Sequence, residues 1–308
     1  MKATGNVRAK RKLIVAAVVL TPILAVVVWW MAASPGDLSR LAPYTERYAY
    51  PAMERQLMAQ GNDTTDFCFA VLGDSRNNTM VASRVYDRAE ADGPDIIFNT
   101  GDLIRGGTVE EYLENHIPLV EDVAPIPVFC IPGNHERGDR YDFAAFKHLY
   151  GDDRFSFDYG PCRFVGINAS EKIRVDRGEL AFLDRELSKP GATYKYVFLH
   201  IPPKYFEKEI IGDDRRGFQW NADKLRALLA RHKVNEVFMG HIHGYASAVM
   251  DGVRYTLTAG GGAPFSERLP AEARVYHYML IHVTPNGATE ELVYYDPTTG
   301  EWPRKQIY

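Results

Sequence analysis

The sequence predicts an α/β fold in which helices cover the faces of a β-sheet, preceded by one N-terminal transmembrane helix. From residue 66 onward, short apolar runs alternate with amphipathic stretches, an alternation typical of βαβ units. Near the N-terminus, a stretch of 21 residues carries no charge. With 308 residues, 46% hydrophobic and 25% charged, the chain is long and apolar enough for a large core, which excludes a wholly disordered or fibrous protein.

The N-terminal segment has the pattern of an uncleaved signal-anchor. Residues 13–33 would extend about 32 Å as a helix, enough for a hydrocarbon core of about 30 Å, and Trp29 and Trp30 lie where an interfacial aromatic belt belongs. Residues 1–12 carry five basic and no acidic side chains, so the positive-inside rule places this tail in the cytoplasm. A cleaved signal peptide is the alternative, but its apolar region is normally shorter, and cleavage after this stretch would put Met31 at the −3 position.

The chain beyond the anchor is acidic. Without the basic tail, the formal net charge changes from −4 to −9, which disfavours nucleic acid as a partner and therefore a nuclease. Three cysteines are too few for a disulfide scaffold. Cys68, Cys130 and Cys162 lie in strand-like runs and are predicted to be small buried side chains, while a Cys68–Cys130 bridge stays an alternative in an oxidising compartment.

Residues 34–65 are predicted to form a stalk or linker with one short helix around residues 44–60, and residues 66–308 the main domain. From residue 248 to residue 295 the helical pattern is lost, which predicts a β meander. The predicted strands are 67–73, 95–99, 127–131, 163–168, 194–199 and 236–239. The predicted helices are 80–89, 109–120, 142–149, 179–187 and 222–230.

Side chains of the metal-ligand type stand where five separate predicted strands end. In open α/β sheets, binding sites form in the crevice beyond the carboxyl ends of the strands, so these side chains are expected to meet. His241 and His243 are two residues apart, and both imidazoles of an extended segment face the same side. The candidates are Asp74, Asp102, Asn134, His135, His200, His241 and His243.

Glycine stands directly before four of these motifs, at positions 73, 101, 133 and 240. A strand that must turn sharply and bring its backbone close to an ion favours glycine there. Carboxylate, amide and imidazole ligands suit Mn²⁺, Fe or Zn²⁺. No cysteine stands at these positions, which disfavours a thiolate zinc site.

The motifs Gly-Asp (73–74), Gly-Asp (101–102), Gly-Asn-His-Glu (133–136), a lone His200 after an apolar strand and Gly-His-Ile-His (240–243) resemble those of the calcineurin-like metallophosphoesterases in type and order. The resemblance covers most of the chain beyond the anchor. It implies a metallophosphoesterase-type sandwich of two mixed β-sheets flanked by helices. It also implies a dinuclear metal site at the strand ends and hydrolysis of phosphoric esters.

The resemblance implies a role for each candidate residue. Asp74 and His243 would bind the first metal ion, and Asp102 would bridge both ions. His135 would be a catalytic residue that stabilises or protonates the leaving oxygen. Two ions about 3.5–4 Å apart would activate a water and clamp the phosphoryl oxygens. The ligands implied for the second ion are Asn134, His200 and His241.

Position 76 departs from the family pattern. The first motif is usually Asp-x-His, whereas this chain has Asp74-Ser75-Arg76, and arginine has no free lone pair for a metal. Water, Asn77 or Asn78 would fill the ligand position, or the first ion would bind weakly. Alternatively, Arg76 would be a catalytic residue that binds the substrate phosphate with its planar fork. An ordinary loop residue is the fourth interpretation.

Two loops near the ligand motifs, residues 202–218 and 263–275, are candidate walls of the substrate site, because long loops in compact domains are often functional. Their basic side chains would contact a phosphorylated group or be ordinary surface charges. Glu136 would orient a metal ligand or be a solvated loop acid. The basic residues concerned are Lys204, Arg215, Arg216 and Arg268.

The sequence therefore predicts a membrane-anchored, extracytoplasmic, metal-dependent phosphatase that hydrolyses a phosphomonoester or a phosphodiester. Its partners would be a phosphorylated small-molecule or lipid-linked substrate and, through the N-terminal helix, the membrane. The alternative is a catalytically degenerate protein of the same fold that binds without turnover, supported by Arg76 alone. Residues 77–79, Asn-Asn-Thr, match the N-glycosylation pattern, and a glycan at Asn77 would obstruct a site at Asp74. This favours a bacterial inner membrane with the domain facing the periplasm or the outside. The sequence leaves the substrate, the occupancy of the first metal site and the oligomeric state open.

Overall fold

The structure, a computed structural model, describes residues 36–138, 142–212 and 215–307. The predicted basic tail (1–12) and signal-anchor (13–33) lie outside the described residues. In the described part of the chain, every helix is too short or too polar to cross a membrane.

Two mixed β-sheets of six strands each form the framework of the described residues. Both contain parallel strands at their centre, and such strands need helical crossovers, which the intervening amphipathic helices supply. In chain order, the strands are β1 (Phe67–Leu72), β2 (Ile96–Asn99), β3 (Val128–Cys130), β4 (Phe155–Tyr159), β5 (Cys162–Gly166), β6 (Tyr194–Leu199), β7 (Glu236–Met239), β8 (Tyr245–Met250), β9 (Val253–Thr258), β10 (His277–Thr284), β11 (Gly287–Tyr294) and β12 (Arg304–Gln306).

The first sheet has the order β12-β11-β10-β1-β2-β3, and the second has the order β4-β5-β6-β7-β9-β8. Strands β1, β2 and β3 are parallel to one another, and β10 runs antiparallel to β1. In the second sheet, β5, β6, β7 and β9 are parallel, and β4 and β8 are antiparallel edges. The expected sandwich of two mixed sheets is confirmed.

Helices connect the strands and cover the sheets. Helix Thr79–Ala91 follows β1 and buries an apolar stripe that includes Val85 and Tyr86. The helix predicted over 109–120 is present, but its middle turn is π-helical. The helices are Ala42–Tyr48, Tyr50–Ala59, Thr79–Ala91, Val109–Glu111 with Tyr112–His116 and Ile117–Asp122, Ala144–Tyr150, Arg177–Ser188, Lys204–Phe206 with Glu207–Ile211, and Ala222–Arg231, with 3₁₀ turns at Leu38–Leu41 and Ala271–Ala273.

Aromatic side chains from both sheets pack against one another in the core. Phe98 on β2 stacks on Phe198 of β6, with ring centroids 4.3 Å apart, and Phe69 on β1 meets Phe164 of β5 edge-on at 5.1 Å. All four side chains are buried. This packing joins the two sheets face to face and brings the carboxyl ends of their parallel strands to one edge.

The described part of the segment predicted as a stalk with one short helix, residues 36–65, differs from that expectation. Helices Ala42–Tyr48 and Tyr50–Ala59 pack onto the domain, because Met53 and Leu57 are 1% exposed and Leu41 is fully buried. The Tyr50 hydroxyl also donates a hydrogen bond of 2.7 Å to the carbonyl oxygen of β3 residue 130. The segment from residue 41 onward is therefore part of the domain.

Two further features differ from the sequence prediction. Strand β4 was not predicted, although its buried Phe155, Phe157 and Tyr159 alternate with more exposed residues. The predicted C-terminal meander (248–295) is divided, since β8 and β9 join the second sheet and β10 and β11 the first, and β12 beyond it was not predicted. The three cysteines are free and buried, as predicted for small core side chains.

Candidate metal centre

Five of the predicted ligands come together, buried, at the edge where the two sheets meet. Asp74 and Asp102 follow β1 and β2 of the first sheet, and His200 follows β6 of the second. Both imidazoles of the motif after β7, His241 and His243, reach the same place. Each of the five residues is at most 8% exposed, although all carry titratable groups. Burying such groups costs free energy unless they have a partner such as a metal ion.

The ligand atoms form two groups that share one carboxylate. One group contains Asp102, His200 and His241, and the other contains Asp74, Asp102 and His243. Within each group, one ligand atom from each residue lies within 4.8 Å of the others. A carboxylate common to two groups is the arrangement that a dinuclear centre needs. The structure thus places these residues as the resemblance implies, and their roles as metal ligands stay predictions.

Two imidazoles are oriented by backbone carbonyl groups. The Nδ1 atom of His200 lies 2.8 Å from the carbonyl oxygen of Thr100, and that of His243 lies 2.6 Å from the carbonyl oxygen of Pro264. Because a carbonyl oxygen only accepts, Nδ1 carries the proton and Nε2 is directed inward. His200 Nε2 lies 3.2 Å from Asp102 Oδ1, and His243 Nε2 lies 3.5 Å from Asp74 Oδ1.

Buried polar atoms at the centre lack hydrogen-bond partners among the described residues. They include Asn134 Oδ1 and His241 Nε2, both predicted to bind the second ion. Buried polar atoms without partners are rare, because each one costs free energy. A divalent cation with oxygen and nitrogen ligands would satisfy both atoms, so the residues present fit Mn²⁺, Fe or Zn²⁺.

Three candidate ligands have the left-handed backbone conformation that non-glycine residues seldom adopt. The φ angles are +64° at Asp74, +55° at Asp102 and +74° at His241. Such residues cost about 1–3 kcal/mol each and persist only where the surrounding structure holds them. The Asp74 N–H donates to the carbonyl oxygen of Gly101 at 2.9 Å, and the His241 N–H donates to Asp74 Oδ1 at 3.0 Å. Hydrogen bonds between the ligand loops therefore hold the sharp turns at Asp74 and His241.

The glycines that precede the ligands allow the loops to approach one another closely. A Cβ atom at Gly101 would lie 2.6 Å from the backbone nitrogen of Gly133, and a Cβ atom at Gly133 would lie 2.3 Å from the backbone nitrogen of Asp102. Both distances are shorter than real Cβ contacts. The loops after β2 and β3 thus pack backbone against backbone, as the glycine pattern predicts.

The buried side chain of Glu136 connects these two loops. Its carboxylate is 1% exposed and accepts hydrogen bonds from the backbone N–H groups of Asp102, Ile104 and Gly133, at 2.8, 3.1 and 2.6 Å. Of the two interpretations of Glu136, a residue that orients a ligand and a solvated loop acid, the structure supports the first. Burial, together with the negative charge of Asp102, raises the pKa of Glu136 to about 7.

The charges at the centre shift one another's pKa values. Burial raises the pKa of Asp74 to about 8. Burial also acts to raise the pKa of Asp102, but the charge and hydrogen bond of His200, together with the charges of His135 and His241, hold this pKa below its usual range. Burial lowers the pKa of His200, but the charge and hydrogen bond of Asp102, with the charge of Asp74, together raise the value to about 9. A cation bound here would displace protons from Asp74 and His200, so metal affinity should increase with pH.

His135 and Arg76 lie on the more accessible side of Asp102. His135 Nε2 is 3.9 Å from Asp102 Oδ2, and its Nδ1 is 2.6 Å from the carbonyl oxygen of Arg105. Arg76 Nε is 4.0 Å from the same Oδ2 atom. Both side chains are 24% exposed, so each can reach a substrate phosphate next to the shared carboxylate.

The asparagines considered for the missing ligand position donate hydrogen bonds through their amide nitrogens, but Asn77 Oδ1, the atom that could bind a metal ion, is buried without a hydrogen-bond partner among the described residues. The Asn77 amide donates to Glu111 Oε1 at 2.8 Å, and the Asn78 amide donates to the carbonyl oxygen of Gly262 at 2.7 Å. The bond from Asn78 joins the loop after β1, which carries Asp74, to the three glycines 260–262 that follow β9. Arg76 lies beside Asp102, so a contact of Arg76 with the substrate and a metal ligand from Asn77 both stay predictions.

A cavity of about 670 Å³ opens beside the centre. Both loops predicted as walls of the substrate site contribute to it, but Lys204 does not line it and instead donates to Gln219 at 3.3 Å. Sequence reasoning missed Lys172, because nothing in the pattern of residues 169–175 marks a site. The basic and imidazole residues of the lining are Arg76, Lys172, Arg215, Arg216, Arg268, His241 and His243.

Comparison with known proteins agrees with this geometry. Residues 69–245 match the calcineurin-like phosphoesterase family. A probable glycerophosphodiester phosphodiesterase, GpdQ, from Arcobacter nitrofigilis is 27% identical over 162 residues, which is 49% of this chain and 57% of the relative. The chain therefore matches less than two thirds of that relative's length.

Solved structures show the same fold. The purple acid phosphatase PPD1 of yellow lupin superposes with a TM-score of 0.61 and 15% identity over 77% of this chain and 52% of the lupin chain. A dimetal phosphatase of Danio rerio gives 0.56 and 15% over 78% and 98%. GAP50, described as the anchor in the inner membrane complex of Plasmodium, gives 0.60 and 14% over 79% and 89%. By the family match, the motifs and the sandwich, this chain belongs to the calcineurin-like phosphoesterase family, whose reaction class is metal-dependent hydrolysis of phosphoric esters.

Proposed function

We propose that this protein is a membrane-anchored phosphodiesterase that hydrolyses a phosphorylated small-molecule or lipid-linked substrate outside the cytoplasm. The observation that carries the catalytic part is the Asp102 carboxylate, which is shared by two groups of buried ligand atoms. A phosphodiester is preferred over a phosphomonoester because the relative from Arcobacter is named for a phosphodiester substrate.

The residues of the chain would bind the metal ions, orient the substrate phosphate and transfer a proton. Divalent ions held by the two groups would supply Lewis-acid polarisation of the phosphoryl oxygens and a more acidic water nucleophile. The Arg76 guanidinium would bind the non-bridging phosphate oxygens with two parallel N–H donors. His135 Nε2 would donate a proton to the leaving alkoxide, since its Nδ1 is held by the carbonyl oxygen of Arg105.

The anchor and the location rest on sequence alone. Residues 13–33 are long and apolar enough to span a bilayer, and the five basic side chains before them favour a cytoplasmic N-terminus. The domain would then lie on the far side of the membrane, close to lipid headgroups and envelope phosphates. Protease added to spheroplasts that express the full chain should degrade the domain. A domain protected until the membrane is lysed would contradict this location.

The catalytic proposal is tested with the full chain in detergent, bis-p-nitrophenyl phosphate as substrate and added Mn²⁺. Asp102→Asn and His241→Ala should abolish hydrolysis and lower the bound metal measured by mass spectrometry. His232→Ala is the matched control, because this histidine lies outside the site and contacts Asp184. Hydrolysis and metal content that both survive Asp102→Asn would overturn the proposal.

The second candidate function is binding without turnover. Arg76 favours it, since this residue stands where the family usually has a metal-ligating histidine. This alternative predicts one tightly bound ion at most and no hydrolysis of the diester at any metal concentration. Two bound ions together with turnover would exclude it.

A further inference from the structure

We infer that the substrate carries a second phosphate group, and that Lys172 and Arg216 bind it at the mouth of the cavity beside the metal centre. The inference rests on the proposed phosphodiesterase function and specifies its substrate class. The substrate would be a phosphodiester in which one of the esterified alcohols bears a further phosphate.

The cavity has more positive charge than one scissile phosphate requires. Among the described residues, five basic side chains line it, together with the single carboxylate of Glu267. Arg76 and the metal-ligand groups lie where the scissile phosphate would bind. We call the other four, Lys172, Arg215, Arg216 and Arg268, the basic wall of the cavity. Like charges that line one cavity repel one another unless an anion lies between them.

Lys172 and Arg216 are the cations of this wall that are available to a ligand. Both side chains are exposed, and within the described residues neither the Lys172 ammonium nor the Arg216 guanidinium has a hydrogen-bond or ion-pair partner. Arg268, in contrast, forms an ion pair with Glu207 at 2.5 Å. A planar guanidinium beside a flexible ammonium is well suited to a phosphate, because the first binds two oxygens and the second adds a point charge.

The two cations lie close to the centre. Lys172 and Arg216 line the same cavity as the ligand imidazoles of His241 and His243. Because the cavity volume of about 670 Å³ lies within the range of small-molecule sites, one substrate can reach both the centre and this wall.

Glu207 holds this wall in place. Its carboxylate is fully buried, accepts hydrogen bonds from the backbone N–H groups of Arg216 and Gly217 at 2.8 and 2.5 Å, and pairs with Arg268. One buried carboxylate therefore connects the 202–218 loop with the 263–275 loop. The backbone of Arg216 is positioned before a ligand arrives, which reduces the entropic cost of binding.

The reaction leaves the second phosphate unchanged. A water oxygen forms a bond to the scissile phosphorus, and the bond from phosphorus to the leaving oxygen breaks. One proton of the water goes to the leaving alkoxide, which gives an alcohol and a phosphomonoester. The second phosphate contributes to binding alone, so its loss should affect KM more than kcat.

A matched pair of substrates tests the inference with the full chain and saturating Mn²⁺. Thymidine 5′-(p-nitrophenyl phosphate) and its 3′-phosphorylated form have the same scissile bond and leaving group. We expect kcat/KM to be about tenfold or more higher for the 3′-phosphorylated form, mainly through a lower KM. Lys172→Ala and Arg216→Ala should each bring the ratio of the two kcat/KM values towards one. Arg216→Lys should keep part of the preference for the 3′-phosphorylated form, and the exposed control Lys224→Ala should keep all of it.

Equal kcat/KM values for the two substrates, or a ratio that survives both alanine substitutions, would overturn the inference. Absence of turnover with either substrate would refute the proposed function instead. In that case, calorimetric titration with thymidine 3′,5′-bisphosphate and thymidine 5′-monophosphate separates the two claims. Tighter binding of the bisphosphate that is lost in Arg216→Ala would support the second phosphate site without catalysis, and equal binding would reject it.

Discussion

The carboxylate of Glu136 accepts a hydrogen bond of 2.8 Å from the backbone N–H of Asp102, the residue shared by the two groups of candidate metal ligands. The same carboxylate accepts from Gly133, so one buried side chain connects the loops that follow β2 and β3. Asp102 has a left-handed backbone, which needs such support. Glu136 is therefore a positioning residue of the centre.

Replacement of Glu136 should weaken metal binding without removing a ligand. Glu136→Gln places an amide N–H₂ group among three backbone donors and should lower metal affinity about 10–100-fold, as other losses of outer-shell partners do. Metal titration followed by mass spectrometry or calorimetry measures this. Asp142→Asn is a matched control for an exposed loop acid. Unchanged affinity in Glu136→Gln would show that the loops hold Asp102 without it.

Arg76→His restores the usual Asp-x-His motif and separates two interpretations of this position. The substitution removes a positive charge 4.0 Å from Asp102 Oδ2 and adds an imidazole, so affinity for the weaker metal ion should rise about tenfold or more. If Arg76 also binds the substrate phosphate, KM for bis-p-nitrophenyl phosphate should rise in the same variant.

Arg76→Ala is the control for this experiment, since it removes the charge without adding a ligand. It should raise KM as Arg76→His does but improve metal binding less. A KM that stays at the wild-type value in both variants would contradict the substrate contact.

Glu236 should make stability depend on pH far from the metal centre. Burial raises the pKa of Glu236 well above its usual value, and the neighbouring Glu290 carboxylate adds to the effect. The folded state therefore binds more protons than the unfolded state, and the free energy of unfolding should fall as pH rises above about 4.5. Glu236→Gln stays neutral, so its stability should fall less between pH 5 and pH 9.

Urea unfolding at several pH values checks this prediction. The exposed Glu46→Gln should retain the wild-type slope of stability against pH. A Glu236→Gln slope equal to the wild-type slope would mean that another group causes the dependence.

Leu57→Ala tests whether the helices before β1 belong to the domain. Leu57 is 1% exposed, and removal of such a side chain typically costs about 2–5 kcal/mol. The next residue, Met58, is 48% exposed, so Met58→Ala should change stability by less than about 0.5 kcal/mol. Denaturant unfolding of the two variants compares them directly, and equal stabilities would indicate an independent stalk.

The alternation of strands and helices and the order of the ligand motifs could be read from the sequence because both depend on local signals. An apolar strand followed by glycine and a ligand side chain is a continuous segment, as in the run from β1 to Asp74. The carboxyl ends of parallel strands lie at one edge of a sheet, so ligand residues that directly follow such strands are expected to lie near one another. For the same reason, the predicted and observed bounds of strands β1, β2, β6 and β7 differ by at most one residue.

Other features depend on contacts between distant segments, and the tertiary structure alone decides them. The last strands divide between the two sheets because the segment after β9 passes the candidate metal centre. There the Gly261 N–H donates to the carbonyl oxygen of Gly73, the residue before Asp74. Lys172 reaches the cavity, and Glu207 pairs with Arg268, only when separate loops fold against each other. The sequence by itself determined the chemistry of this protein, since ligand types and their order are local. Only the tertiary structure decided which charges surround the substrate, because loops that lack a periodic pattern acquire their positions from the contacts they make.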